Sequence, residues 1–266
     1  MRISKPILSV TVAAATLFGI GAASAADLPA RMYTKAPAVV AAPIYDWSGF
    51  YIGVDGGGGW ARKCWDATSI GGGGIVTVIA PAVHEGRSTA SGGMAGAQAG
   101  YRWQRSAWVF GLEAKGDWAN YRGSNPSLFF GPAVTDQSRV NAIGLFTGQI
   151  GYAINNVLIY GKGGAAVAAD KYTGIFTVPG TAFDTASETR VGGYAGVGVE
   201  FGIIPNLSVA GEYGHAFMGS NTVNFTATGL TAPVGTFSRS DRIQQDMDIF
   251  TVRVNYRFGG PVVARY

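Results

Sequence analysis

The stretch Ile249-Phe250-Thr251-Val252-Arg253-Val254-Asn255-Tyr256-Arg257-Phe258, close to the C-terminal end, separates into two groups when every second residue is taken. The apolar or aromatic group comprises Phe250, Val252, Val254, Tyr256 and Phe258. The polar or charged group comprises Thr251, Arg253, Asn255 and Arg257. Because successive side chains of a strand point to opposite faces of a sheet, the stretch predicts a β-strand with one apolar and one hydrated face. The apolar face must therefore meet either a protein core or lipid.

Seven earlier segments show the same alternation, so the sequence predicts eight antiparallel strands. Every second connection is about two to four residues long, whereas the others run to roughly 15–30 residues rich in Gly, Ser, Thr and Asn. The short turns include Asn155-Asn156 and Pro205-Asn206, and Asn tolerates the positive φ of tight hairpins. Short turns at one end and long loops at the other are typical of bacterial outer-membrane barrels. We therefore predict an all-β fold, an eight-stranded antiparallel transmembrane β-barrel with short periplasmic turns and long extracellular loops.

The alternation also predicts which side chains face lipid. In the fourth strand, Val140 falls on the lipid side and Asn141 in the interior, while Ile143 and Leu145 put apolar groups into the interior. Aromatic residues collect towards both ends of the predicted strands, as in the interfacial girdles of membrane barrels. Those near the short turns are Trp103, Trp108, Tyr152, Tyr256 and Phe258, and those near the long loops are Trp60 and Trp118.

Composition favours strands over helices as the membrane-crossing elements. Hydrophobic residues make up 47% of the chain and charged residues 14%, and 41 of the 266 residues are glycine. Beyond the N-terminus, no uncharged apolar run reaches the about 20 residues that a transmembrane helix needs. Apolar content that is interleaved with glycine and polar residues is expected of a transmembrane barrel.

The N-terminus has the three parts of a secretory signal peptide. Arg2 and Lys5 form a basic region, residues 6–20 an apolar region, and Ala23-Ser24-Ala25 a small-residue cleavage site. We predict that residues 1–25 are this signal peptide and that residues 26–46 form a Pro/Ala-rich periplasmic linker. Residues 47–258 then form the barrel, and residues 259–266 a C-terminal tail.

Charge and residue usage argue against several functional classes. Without Arg2 and Lys5, the 20 basic residues fall to 18 against 16 acidic ones, so the mature chain is close to neutral and has no basic tract for nucleic acid. Cys64 is the sole cysteine, which excludes an intrachain disulfide and a Cys/His zinc site. The glycine runs at 56–59 and 71–74 lack the Lys-Ser/Thr of a phosphate loop. We expect no enzymatic activity, no metal and no cofactor.

Charged residues on the inward faces predict a polar network in the lumen. Eight strands enclose a space just wide enough to be filled by side chains. The candidate network residues are Arg102, Glu113, Lys115, Asp117, Lys162, Glu200, Glu212, Arg253 and Arg257. Both signs are present, so these groups can pair across the lumen and close it. The alternative is a conducting pore lined by Arg102, Arg253 and Arg257.

Several local sequences resemble one family. Ala-Asp-Leu-Pro at 26–29 precedes Asp46-Trp47-Ser48-Gly49-Phe50-Tyr51-Ile52-Gly53, and the last strand closes on Tyr256-Arg257-Phe258. This resembles the small eight-stranded outer-membrane proteins of alphaproteobacteria, the 25/31-kDa outer-membrane, haemin-binding and porin-like group. The resemblance implies location in outer-membrane lipid and recognition of Tyr256 and Phe258 by the barrel-insertion machinery. The tail leaves open whether Phe258 or Tyr266 is the terminal aromatic of that signal.

Three functions are compatible with such a barrel. The first is a structural envelope protein that displays extracellular loops, where a host or small-molecule ligand could bind. The second is a porin for small solutes. The third is a surface receptor such as a haemin binder, with His84 or His215 as the axial ligand, aided by loop aromatics such as Trp65, Phe129 or Phe183.

Overall fold

A computed structural model describes residues 45–72 and 75–258 of the chain. The predicted signal peptide, almost all of the predicted linker, and the C-terminal tail with Tyr266 lie outside the described residues. Within them, eight strands follow one another: β1 (Gly49–Gly72), β2 (Ile75–Arg105), β3 (Trp108–Pro126), β4 (Val134–Ile154), β5 (Val157–Phe176), β6 (Ala182–Ile204), β7 (Leu207–Ala227) and β8 (Phe237–Phe258).

Each strand pairs with the next, and β8 pairs antiparallel with β1, so the sheet is a closed barrel. This confirms the predicted fold class. At the closing seam, Phe50 is opposite Phe258 and Gly57 is opposite Thr251. A Cβ at Gly57 would overlap the carbonyl oxygen of Phe250, so the seam requires glycine at this position.

The described residues contain no helix that is long and apolar enough to cross a membrane.

An apolar band surrounds the half of the barrel that carries the short turns. On β8 the outward side chains are apolar or aromatic over residues 250–258, which matches the about 9–11 residues that a tilted transmembrane strand needs. Further along β8 the outward positions are polar, beginning with Asp248 and Asp246. On β1 the band ends at Trp60, after which Arg62 faces outward. All seven predicted girdle aromatics are exposed on this outer face.

The strands continue well beyond the apolar band, so the loops at this end are shorter than predicted. The connections at this end are residues 127–133, 177–181 and 228–236, and the one between β1 and β2 lies outside the described residues. Most residues that we predicted to form long loops extend the strands instead. Along most of these extensions the alternation continues with a largely polar outward face that meets water, so the pattern differs from that of a lipid-facing strand. Residues 75–84 of β2 are the exception, because they are exposed almost throughout and include the apolar side chains of Ile75, Val76, Val78 and Val83.

The turns at the other end are two residues each, at 106–107, 155–156 and 205–206, as predicted. Asn155 has a φ of 54°, the left-handed conformation expected for a tight turn.

In β4 the predicted facing of two residues was wrong. Val140 is fully buried in the interior and Asn141 is exposed on the outside. A register shift between Val140 and Ala142 inserts an unpaired residue, and this β-bulge exchanges the two faces. Ile143 and Leu145 are buried in the interior, as the sequence indicated.

Candidate functional site

The structure places all nine predicted network residues inside the barrel, with exposed fractions between 0 and 7%. They do not form one continuous cluster. They divide into four groups at different positions in the lumen.

Arg253 is the centre of the first group. Its guanidinium donates to Glu113 at 3.1 Å and also contacts Glu212 and the Tyr160 hydroxyl. Lys162 contacts Glu113 and lies 3.0 Å from Glu212. Two cations and two carboxylates from β3, β5, β7 and β8 therefore neutralise one another in the interior.

The second group joins Arg102 and Glu200. The guanidinium donates to both carboxylate oxygens, at 3.0 and 2.7 Å, in the bidentate geometry that makes this pair strong. Asn255 donates to Glu200 at 3.0 Å, and Ser208 also donates to it. Arg102 lies 4.3 Å from the centre of the Tyr51 ring, so its remaining face is covered by an aromatic side chain.

Lys115 forms the third group with two aspartates. Its ammonium lies 2.8 Å from Asp55 and 3.5 Å from Asp117. Asp55 was not among the predicted network residues, although its position on the inward face of β1 follows from the same alternation.

Arg257 is separate from the predicted glutamates and closes the short-turn end of the lumen. It donates to the carbonyl oxygens of Ser48 at 2.8 Å and Pro205 at 2.7 Å, and lies 3.4 Å from Asp46. The Arg257 guanidinium lies 5.7 Å from the centre of the Tyr45 ring, which packs on Trp47 at 4.4 Å between ring centres, and Trp47 is buried. The start of the described chain therefore packs into this end of the barrel.

An apolar layer follows the ionic groups in the direction of the long-loop end. It contains Met94, Ile143, Leu145, Met218, Met247 and Ile249, together with Tyr121, Val140 and several alanines. Side chains from opposite walls meet in this layer. These side chains fill this part of the lumen.

A further ion pair and an aromatic layer lie beyond the apolar layer. Lys63 lies 2.8 Å from Asp170, and both side chains are fully buried. Farther towards the long-loop end, Trp65, Tyr172 and Phe225 pack together with ring centres 5.3 to 6.3 Å apart. The prediction that Trp65 lies in a loop as a ligand contact is therefore wrong, because its ring belongs to the buried core.

Arg239 organises the last layer, outside the apolar band. Its guanidinium contacts Glu85 at 2.9 Å, Asp136 at 2.5 Å, Asp184 at 3.0 Å and Asp241 at 3.2 Å. None of these five residues was among the predicted network residues. Continuing the alternation of β8 backwards from Ile249 would have placed Arg239 and Asp241 inside.

Burial and the neighbouring charges shift the pKa of three carboxyl groups around this arginine. Burial raises the pKa of Asp241 to about 8, since the favourable charge of Arg239 is opposed by Glu85, Asp136 and Asp184. Burial likewise raises the pKa of Glu85 and the pKa of Asp184.

The two histidines that were considered as axial ligands lie apart, on β2 and β7. The Nδ1 atom of His84 is 3.0 Å from Asp66 on an exposed surface. The Nδ1 atom of His215 is 2.8 Å from Asp248 on the outer face, where Tyr213 donates to the same carboxylate at 2.7 Å. Within residues 45–72 and 75–258, no group of three or more His, Cys, Asp or Glu side chains could hold a metal ion.

The two aromatics of the predicted assembly signal face outward beside the short turns. Tyr256 and Phe258 pack edge to face with ring centres 5.1 Å apart, and Phe258 lies 5.8 Å from Phe50 across the seam. Their rings are half exposed and belong to the apolar band.

Comparison with known proteins agrees with this architecture. The profile of the family described as outer membrane protein beta-barrel domain matches residues 10–258. The 31 kDa outer-membrane immunogenic protein of Brucella melitensis is 27% identical, covering 94% of this chain and 99% of the relative. The 25 kDa outer-membrane immunogenic protein of the same organism is also 27% identical, covering 97% of this chain and 100% of the relative. The resemblance to the 25/31-kDa group is thereby confirmed.

Solved structures give a more distant likeness. OprG of Pseudomonas aeruginosa is 11% identical with a TM-score of 0.48, covering 80% of this chain and 97% of that structure. Ail of Yersinia pestis is 13% identical with a TM-score of 0.36, covering 79% of this chain and 99% of that structure. From its closed eight-stranded sheet and the profile match over nearly its full length, the chain belongs to the outer-membrane β-barrel protein family and lies in the lipid of the outer membrane.

Proposed function

We propose that this protein is a closed, non-conducting barrel that reinforces the outer membrane and displays its extracellular end at the cell surface. The observation that carries the proposal is the filling of the lumen by alternating ionic and apolar layers. Passage of a solute would have to separate several of these layers at once. Leaving one buried charge without its partner costs about 3–5 kcal/mol, so a state that separates several of these pairs would be rarely populated.

The shape of the barrel supports the display role. Strands β1 and β2 pair up to Gly72 and Ile75, far beyond Trp60 at the edge of the apolar band. The connecting segments carry well-exposed side chains, such as Val178 and Val234. The name of the two Brucella relatives, outer-membrane immunogenic protein, is compatible with an exposed extracellular end.

Single-channel recording in planar bilayers tests the closed lumen. We expect the purified barrel to give no discrete conductance steps, whereas a general porin in the same bilayers gives steps. Reproducible steps whose size changes in Arg253→Gln or Arg102→Gln would contradict the proposal and assign the chain to the solute-porin alternative.

Epitope insertion tests the display role. A tag placed within residues 228–236 should bind antibody on intact cells. The matched control is the same tag in the 155–156 turn, which should become accessible only after the outer membrane is permeabilised. The reverse labelling would invert the proposed orientation.

We also propose that the chain is not an enzyme, because its buried carboxylates are engaged in ion pairs rather than exposed in a cleft. Haemin binding through His84 or His215 stays a prediction from the sequence. A Soret shift of added haemin that survives His84→Ala combined with His215→Ala would exclude both histidines as its ligands.

A further inference from the structure

Three basic side chains form a row on the outer surface of the barrel. Arg122 on β3 is directly opposite Arg139 on β4, and Arg139 is directly opposite Lys171 on β5. All three point outward and are exposed. Since neighbouring strands lie about 4.8 Å apart, the three positions span about 10 Å along the hydrogen-bonding direction.

The row has no acidic partner on the protein. Among the described residues, no carboxylate lies within 4.0 Å of the charged groups of Arg122, Arg139 or Lys171, and the one side-chain contact is from Arg122 to the Asn120 amide oxygen at 2.8 Å. Like charges placed directly opposite each other destabilise a sheet. By contrast, the outward-facing Arg62 on β1 has an acidic partner, since its guanidinium lies 2.9 Å from Asp248. An anion from outside the chain would remove the repulsion in the row.

The row lies immediately beyond the apolar band. The register below it pairs Trp118 with Ala142 and Ala142 with Ala169. Trp118 is 79% exposed on the outer face, as expected for a ring at the interface between lipid tails and headgroups. The cations are therefore at the depth of the headgroups of the outer leaflet.

The surface at the row is concave. A depression of about 450 Å³ is lined by the three cations and, farther from the band, by Ser124, Gln137 and Thr173. These polar residues lie opposite one another across the same three strands. Hydroxyl and amide donors beside guanidinium and ammonium groups are suited to the oxygens of phosphate.

We propose that this depression binds the phosphorylated headgroup of an outer-leaflet lipid, with Arg122, Arg139 and Lys171 as the phosphate ligands. The acyl chains of that lipid then lie against the apolar band below Trp118. The proposal rests on the outer-membrane location of the barrel and is independent of whether the lumen conducts.

Calorimetric titration of the purified barrel in a non-ionic detergent with lipid A, a phosphorylated glucosamine lipid, tests the proposal. We expect Arg139→Gln combined with Lys171→Gln to weaken binding at least tenfold. The matched control is Arg87→Gln combined with Arg242→Gln, which removes the same charge from exposed outward positions outside the row and should leave the affinity unchanged. Equal weakening by both pairs, or by neither, would overturn the proposal.

Two further titrants distinguish the source of the phosphate. Dephosphorylated lipid A should bind the wild-type barrel at least tenfold more weakly than lipid A. Inorganic phosphate at equal concentration should not compete with lipid A. Effective competition by inorganic phosphate would assign the depression to a soluble anion instead.

Both variants should keep the gel shift between unheated and boiled samples, which shows that the barrel is folded.

Discussion

At the scale of the residue, Arg253 joins the first ionic group of the lumen. Its guanidinium holds Glu113 and Glu212 together from opposite walls, and the Tyr160 hydroxyl lies against it. With the arginine removed, two buried carboxylates would share only Lys162. An unpaired buried charge is much more costly than the pair was favourable.

We expect Arg253→Ala to lower the free energy of unfolding by about 3–5 kcal/mol. Urea unfolding of the barrel in detergent or lipid vesicles measures this change. The control is Arg62→Ala, whose ion-paired side chain is 60% exposed and whose loss should cost less than about 1 kcal/mol. Similar losses in the two variants would show that the Arg253 cluster does not have the energetic role described.

We expect Asp241 to make the stability of the barrel pH-dependent at its extracellular end. Because burial raises its folded-state pKa to about 8, the folded protein binds a proton that the unfolded chain has released, and stability falls as the pH rises towards 8. The contribution of this group falls by at most about 1.4 kcal/mol per pH unit and levels off above its folded pKa. The groups facing it are Arg239, Glu85, Asp136 and Asp184.

We expect Asp241→Asn to reduce the loss of stability between pH 5 and pH 8. The temperature at which the compact gel band disappears, measured across this range, reports the effect. Asp246→Asn on the outward face of the same strand is the control and should keep the wild-type pH dependence. If Asp241→Asn and the wild type respond to pH alike, the carboxyl of Asp241 does not titrate in this range.

At the scale of the element, β8 contacts lipid, contributes side chains to the interior and closes the sheet against β1. Residues 250–258 face lipid on one side and the ionic lumen on the other, and pair with β1 to close the sheet. In the half of β8 nearer Phe237, Arg239 and Asp241 point into the interior of the barrel at its extracellular end. The predicted recognition of Tyr256 and Phe258 by the insertion machinery concerns only the end of the strand beside the short turns.

We propose that this end is the assembly signal and expect Phe258→Ala to lower the amount of barrel in the outer membrane several-fold. Quantitative immunoblotting of outer-membrane fractions measures the amount. Phe250→Ala removes an equally lipid-exposed ring from the other end of the same band and should have a smaller effect. Equal reductions would assign the effect to lost lipid contact. Removal of residues 259–266 tests Tyr266 as the alternative terminal aromatic.

At the scale of the whole molecule, the barrel has a lipid-embedded half and a water-exposed half that share one continuous interior. The interior of the exposed half contains the aromatic layer around Trp65 and the Arg239 cluster. This interior gives the extended strands a hydrophobic core of their own. They therefore differ from mobile loops.

We expect slow amide hydrogen exchange in peptides from residues 237–247, approaching that of residues 250–258, when the barrel is in lipid nanodiscs. The connection at residues 228–236 should exchange fast and provides the internal control. Fast exchange throughout residues 237–247 would show that the extracellular half is a set of loops, as the sequence alone had predicted.

Local alternation was sufficient to determine the strand number, the two faces of β8 over residues 250–258, the short turns and the inward position of nine charged residues. Side-chain direction along a strand depends only on the neighbouring residues, so it is readable from sequence. For the same reason Arg102, Glu113 and Arg253 could be placed inside without knowing their partners. The family resemblance added the outer membrane as the location.

Only the tertiary structure decided which charges meet, where the membrane ends and how far the strands continue. The pairs Arg102–Glu200 and Arg253–Glu113 join residues about 100 or more positions apart, and such pairs depend on the register of all intervening strands. The bulge beside Val140 exchanged two faces through a single unpaired residue. The basic row of Arg122, Arg139 and Lys171 arises in the same way, since three separate strands bring like charges together at one height. Closure of the sheet fixes that height and register, and neither is a property of any one strand.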